Sequence, residues 1–312
     1  TEAIRCAAFS PDGNLVATGS RDNTARLWDR SGKSVALLTG HTANIQELIF
    51  SPDGTFLLTR SADGTARSWD TRGNPLATLE QDGKFLHRVW IIPIHHRIAG
   101  LFSDGSAALW SHQGKLIATI KPAAGEIKDL IFSTTYAGFA ARLSTGRVEL
   151  YNSDGLLHHA LAPAGTTTGL ALSADGVYSL TWGKDRVVRL WDAQGTLKQE
   201  FSGHQQDIIS ANLPADNGFV LTASKDGTAK LWDSGGNILT EWIPGSNTPA
   251  QFSLDRPGVL LALNGGRSLA FSPFSGNIYQ SIDREKMLSG AEVSRLIGEF
   301  NVQFSEGVME AK

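Results

Sequence analysis

Sulfur is scarce in this 312-residue chain, which holds one cysteine, Cys6, and two methionines. A lone cysteine excludes an internal disulfide framework and any zinc site built on several thiolates. An excess of one charge is missing too: 28 Lys and Arg stand against 31 Asp and Glu, a formal net charge of −3. That balance argues against a bulk electrostatic hold on nucleic acid or an anionic membrane. No apolar run reaches the ~20 residues of a membrane helix, and no secretory apolar segment opens the chain. A soluble, cytoplasmic protein is therefore expected. The chain starts at Thr1 rather than Met, so a preceding segment is expected as well.

Glycine, by contrast, is plentiful at 33 residues, and it recurs with a period. Aromatic residues stand at Trp28, Trp69, Trp110, Tyr151, Trp191 and Trp232, at spacings of 41, 41, 41, 40 and 41. Most are followed by a small acidic or polar residue: Asp29, Asp70, Ser111, Asn152, Asp192, Asp233. A degenerate seventh copy fits Phe271, 39 residues on. A fixed period near forty marks a repeat architecture.

Each copy reads as four short strands. In the second, Ile45 to Phe50 alternates and Ser51-Pro52-Asp53-Gly54 turns. Phe56 to Thr59 follows, then the Ala62-Asp63-Gly64 turn, Ala66 to Trp69, the Arg72-Gly73-Asn74 turn, and Leu76 to Leu79. Gly supplies positive φ, Asp binds nearby backbone, and Pro sets the first corner, as tight hairpins require. Nothing in residues 1–282 has a helical period. Repeated four-stranded units build a radial array whose edges are short and protected.

The run Phe50-Ser51-Pro52-Asp53-Gly54, the Gly40-His41 pair and the Trp-Asp ends resemble the WD-repeat β-propeller family over residues 1 to about 282. The resemblance implies an all-β, seven-bladed propeller of four-stranded antiparallel blades. It also implies a structural tetrad of His, Ser or Thr, Asp and Trp in each blade. Blade two matches with His41, Thr59, Asp63 and Trp69, and blade six with His204, Thr222, Asp226 and Trp232. Blade one keeps Thr18, Asp22 and Trp28, and the chain starts one residue after its expected His. Blade five keeps Thr181, Asp185 and Trp191, with Pro163 in the His position. Blade three has Gly100 for the hydroxyl, blade four has Thr145 for Asp and Tyr151 for Trp, and blade seven keeps almost nothing. The tetrad histidines are read as structural, because a buried Asp and imidazole persist only when hydrogen-bonded.

Residue 1 enters at the first strand of blade one, and Ile278 to Ile282 can supply the last strand of blade seven. Ring closure is then expected from face packing between those two blades. Residues 283–312 form a separate tail. Ser289 and Glu292 fit a capping box, and Val293, Leu296, Ile297 and Phe300 make one apolar stripe on a short C-terminal helix. That helix docks either on the propeller itself or on a partner or second copy.

Catalytic signatures are missing. Gly32-Lys33-Ser34 lacks the upstream glycine of a phosphate loop, whose place Leu27 takes, and it joins two strands. No Gly-x-Ser-x-Gly elbow or His-Glu-x-x-His occurs. The pairs His95-His96 and His158-His159 point to opposite faces if they lie in strands, but the former replaces the Gly-Thr of the turn seen at residues 52–55 and is expected to be exposed, and a metal site combining it with His87 or His112 lacks supporting spacing. Asp-Gly turns offer too few ligands for calcium. No catalytic residue, metal or cofactor is expected.

What remains is surface. By family resemblance, one end of the propeller, its top face, presents the residue before each tetrad Asp and residues three and five after each tetrad His. The first set reads Arg21, Ala62, Ser103, Ser144, Lys184, Lys225 and Asn264. The last reads Arg5, Gln46, His87, Lys128, Thr168 and Ile209. Arg5, Arg21, Lys184 and Lys225 would form a basic arc, with Phe85, His87 and Lys128 in another sector. The expected role is a non-catalytic scaffold or sensor that binds a protein or peptide, an acidic segment by preference, within a larger signalling or assembly protein. The repeats look most like prokaryotic, especially cyanobacterial, ones, and contact with upstream domains of the same protein is one form the partner could take. Alternatives are self-assembly through the C-terminal helix and, less favoured, an enzyme working in the central channel.

Overall fold

Two side-chain-to-backbone turns close the hairpins, and both follow from the repeat's wording. In Ser51-Pro52-Asp53-Gly54, the Ser51 hydroxyl accepts the Phe56 N–H at 3.0 Å and Asp53 accepts the Thr55 N–H at 3.1 Å. Ser10 and Ser173 repeat the lock, taking the N–H groups of Leu15 and Tyr178 at 2.9 Å. After the aromatic, Asp70 accepts from the N–H groups of Arg72 and Asn74 at 2.9 and 2.8 Å. Asp29, Asp192 and Asp233 do the same, and so does Asn152, because the turn needs only an acceptor oxygen.

The computed structural model describes residues 2–283 except 93–95, 134–137, 164–165, 174, 214–217, 243–249, 253–259, 265–266 and 272–277. From residue 250 onward only backbone strands are described. The expected C-terminal helix, with Ser289, Glu292 and its apolar stripe, lies outside the described residues.

Strands pair in consecutive fours, always antiparallel and in chain order. The second sheet comprises Ile45–Phe50, Phe56–Ser61, Ala66–Asp70 and Pro75–Leu79. Six such sheets carry described side chains. A further set, Ala250–Phe252, Leu260–Asn264, Arg267–Phe271 and Ile278–Asp283, pairs in the same order. In every sheet the third and fourth strands slip register at the repeat's aromatic, for example between Ser68 and Trp69 and between Ala270 and Phe271. The bulge recurs even where the motif has decayed.

The apolar core is a series of layers between successive sheets rather than one centre. Leu27 and Leu38 of the first sheet meet Ile45, Phe50, Leu57 and Trp69 of the second. Phe56, Leu58 and Leu79 of the second meet Leu86, Ile98 and Trp110 of the third. Each buried Leu or Phe contributes about 1.5–3 kcal/mol relative to exposure. One face of the first sheet has no such cover among the described residues: Ile4 and Phe9 are 64% and 73% exposed, while their second-sheet counterparts Ile45 and Phe50 are 1% and 8% exposed.

Candidate functional site

The tetrad positions define one end of the molecule. In the second sheet Trp69 Nε1 donates to Thr59 Oγ1 at 3.0 Å. His41 Nε2 lies 2.8 Å from the same hydroxyl, and His41 Nδ1 lies 2.8 Å from Asp63 Oδ2. The consistent proton arrangement is a neutral His41 that donates from Nδ1 to the carboxylate and accepts from Thr59. Burial lowers the imidazole's pKa against the pull of Asp63. Burial also works to raise Asp63, but hydrogen bonds from the Thr42 N–H, Thr65 and His41 outweigh it and hold the carboxyl at about 2. His204, Thr222, Asp226 and Trp232 repeat these contacts at 2.7–2.9 Å. A second Asp63 bond, from the Thr42 N–H at 3.0 Å, pins the loop entering the first strand.

The degenerate sheets solve the same problem with other residues. Trp28 and Trp191 still donate to Thr18 and Thr181 at 2.8 Å. With Pro163 in the His position, Asp185 is held by Arg189 Nη1 at 2.6 Å, and Arg189 Nε also donates to Glu200 at 2.8 Å. In the third sheet Lys84 takes Asp104 at 3.1 Å. Gly100 stands for the hydroxyl there because a Cβ would meet Leu86 at 2.5 Å and Trp110 at 2.8 Å. In the fourth, the Tyr151 hydroxyl donates to the buried Glu149, and the Tyr151 ring stacks on Phe139 at 5.1 Å. Neither Arg189 nor Lys84 was singled out by the sequence reading. The visible signal for Arg189 is its place two residues before the tryptophan, which Arg67 and Lys230 share.

The residue before the tetrad Asp is tied to the entry of the first strand. Arg21, Ala62, Ser103, Ser144 and Lys225 donate their N–H groups to the carbonyls of Ala3, Asn44, Phe85, Glu126 and Asp207 at 2.8–3.1 Å. The two sets of surface positions therefore share one end of each sheet. Arg5, Arg21, Phe85, His87, Lys128, Lys184 and Lys225 are all exposed. Phe85 rests on the Gly64 turn, where a Cβ would meet its ring at 2.8 Å. Beside His87, Arg88 lies 4.8 Å over the Trp90 ring and pairs with Asp129 at 3.1 Å. Lys128 pairs with Glu126 at 2.6 Å and Lys225 with Asp207 at 3.0 Å. The aromatic sector thus sits on sheets two to four and the basic one on sheets five, six and one, as two separate sectors.

One expectation needs correction. His158 and His159 do not point apart: the bulge opposite Tyr151 leaves His158 without a paired residue, and the two rings lie 4.4 Å apart. Glu47 and Asp129 follow Gln46 and Lys128 on the first strands. Each is held by an arginine, Arg60 at 3.0 Å and Arg88 at 3.1 Å. His95 lies outside the described residues. His96 pairs with Asp53 at 3.0 Å and faces His112 at 5.8 Å, but no group of three ligands able to hold a metal occurs among the described residues. No described helix is long and apolar enough to cross a membrane.

Comparison with known proteins decides the family. The family model described as "WD domain, G-beta repeat" matches residues 1–29, 32–70 and 195–233. Those three segments are WD repeats, and the chain has the WD-repeat β-propeller fold. The C-terminal WD40 domain of Sif2 is similar with a TM-score of 0.63 at 19% identity, over 90% of this chain and 86% of that one. Sqt1 of Saccharomyces cerevisiae gives 0.66 at 14% identity, over 91% and 86%. The computationally designed Ika8 protein gives 0.64 at 22%, over 90% and 87%. These identities establish the fold alone. The general transcriptional corepressor TUP1 of S. cerevisiae is 46% identical over 46 residues, 14% of this chain and 6% of that protein. The chain therefore spans only a small part of that relative's length.

Proposed function

We propose that this WD-repeat propeller is a non-catalytic, cytoplasmic scaffold that binds a protein or peptide segment on the end carrying Arg5, Arg21, Phe85, His87, Lys128, Lys184 and Lys225, within a larger signalling or assembly protein. One observation carries the reading. Hydrogen-bonded tetrads fix loops at that end, while the cations and Phe85 there stay exposed. A rigid frame with exposed cations and an aromatic anchor spends little ordering entropy on binding and favours an acidic segment. WD40 domains generally act as protein-interaction scaffolds and are typically non-catalytic. The first-strand carboxylates Glu47 and Asp129 are each paired with an arginine rather than poised as a base beside a nucleophile.

The test is affinity capture from a source lysate with wild type beside a variant reversed in charge at Arg21, Lys184 and Lys225. Retention of one protein by wild type and its loss by the variant, at equal melting temperature, is the expected result. Equal retention by both moves the site off this face.

A further inference from the structure

One hairpin turn departs from all its counterparts. The residue after the tetrad Asp is Gly64, Gly105, Gly146 and Gly227 in sheets two, three, four and six, at φ +85°, +75°, +83° and +88°, and Asn23 at +68° in sheet one. Sheet five places Arg186 there, at φ +65°. A long L side chain in the left-handed region is strained, and such strain persists where the surroundings or a function hold it. The turn is also the longest of the set: Arg186 N–H reaches the Gly183 carbonyl at 3.4 Å, against 3.0–3.2 Å for the four glycine turns.

The counterpart turns show where the Arg186 stem goes. A Cβ at Gly64 would meet Phe85 at 2.8 Å, and one at Gly105 would meet Glu126 at 2.3 Å. Phe85 and Glu126 each immediately precede the first strand of the next sheet. In sheet six that position is Asp207, ahead of Ile208–Asn212. Arg186 therefore leaves its turn toward Asp207, across the boundary between sheets five and six. From its own sheet, Asp207 takes the Lys225 ammonium at 3.0 Å. Lys225 foremost, then Arg186 and Lys184, hold the Asp207 carboxyl below its ordinary range. Asp185, the tetrad carboxylate of the same turn, is engaged by the buried Arg189. Among the described residues Asp207 thus faces three exposed cations, more positive charge than one carboxylate neutralises.

We propose that Lys184, Arg186 and Lys225 form an oxyanion cradle for a carboxylate or phosphate group on a peptide segment of the partner, with Asp207 ordering the cations before that group arrives. The proposal rests on the binding-face reading and narrows it to the boundary of sheets five and six. The Arg186 guanidinium offers a planar fork suited to two oxygens, and the lysines supply point charges at its sides.

Fluorescence anisotropy on the full 312-residue chain tests this. Three dye-labelled peptides of equal length are used, one Glu-rich, one with a single phosphoserine and one neutral with Gln and Ser, beside a labelled single-stranded DNA oligonucleotide. One of the anionic peptides should bind at least about 10-fold tighter than the neutral one, more weakly as salt rises. Arg186→Gly and Lys225→Gln should each lose about 5–10-fold, with the melting temperature of Arg186→Gly equal to or above wild type. Which anionic peptide binds more tightly identifies the oxyanion. Neutral peptide binding as tightly as the anionic ones, or Arg186→Gly binding like wild type, overturns the cradle; preference for the oligonucleotide overturns the peptide partner. If Arg186→Gly is silent while the charge-reversed variant loses its lysate partner, the cradle fails and the broader face stands. If that variant keeps its partner, the broader face and the cradle fail together as the partner's site, whatever the peptides show.

Discussion

Sheets two and five have the same four strands and the same Trp-to-Thr hydrogen bond, but they hold their tetrad aspartate in opposite ways. In sheet two a neutral, buried His41 takes Asp63, and the turn ends in Gly64, which Phe85 covers. In sheet five Pro163 removes the imidazole, Arg189 reaches up from the third strand to Asp185, and the turn ends in a strained, exposed Arg186. The frame needs some donor on the aspartate and does not mind which. That tolerance lets one sheet trade a closed, neutral end for a charged one without losing its fold.

The largest effect should come from what the two sheets share. Truncating Trp69 or Trp232 to Ala removes a buried ring and leaves Thr59 or Thr222 without its indole donor, at a cost of about 3–5 kcal/mol in chemical denaturation. Trp28, only half-buried, should cost clearly less. Equal losses at all three would mean that the apolar face of sheet one is covered in solution.

The aspartate holders should separate next. His41→Ala leaves Asp63, only 10% exposed, without one of its two side-chain donors, an expected loss of about 2–3 kcal/mol. Arg189→Ala leaves Asp185 at 32% exposure, where water can replace the guanidinium, and should cost about 1 kcal/mol. The comparison breaks if Arg189→Ala proves the more damaging.

Acid sharpens the same contrast. His41 and His204 have pKa values below that of the unfolded chain, so the unfolded state takes up their protons first and stability falls as pH drops below about 6.5. Asp63, held at about 2, adds a second loss from about pH 4 downward, because its favourable charge is present above the unfolded pKa and is lost as pH falls through the folded one. In a melting series from pH 8 to pH 3, His41→Gln should flatten the first decline, whereas Arg189→Met should leave it intact.

How much of this the sequence carried depended on the range of the interaction. The period, the hairpin turns and the tetrads of sheets two and six are local patterns with fixed offsets, so Trp69, Thr59, Asp63 and His41 could be placed by counting. Arg189 was missed because its partner, Asp185, is satisfied by an unusual donor four residues on rather than by one 22 residues before. The meeting of Arg186 with Asp207 crosses a sheet boundary, and only the packing of one sheet's turn against the next sheet's first strand brings them together. His158 and His159 misled because a bulge breaks the alternation that a strand pattern assumes. Residues 284–312 and the side chains of the last sheet lie outside what the structure describes.

The smallest effect is the most pointed. Gly64 and Arg186 occupy the same left-handed position, so exchanging their chemistry should move stability in opposite directions. Gly64→Ala adds a Cβ at φ +85° that must also displace Phe85 from 2.8 Å, and should destabilise by on the order of 1–2 kcal/mol. Arg186→Gly removes strain of about 1–2 kcal/mol but gives the unfolded chain back about 0.5–1 kcal/mol of freedom, so the net gain should be about 0.5–1 kcal/mol. It also deletes an exposed arginine whose attraction to Asp207 is worth little in water. Denaturant melts of the two variants beside wild type measure both changes. A loss at Arg186→Gly as large as that at Gly64→Ala would mean that the arginine is held for the fold rather than for a ligand.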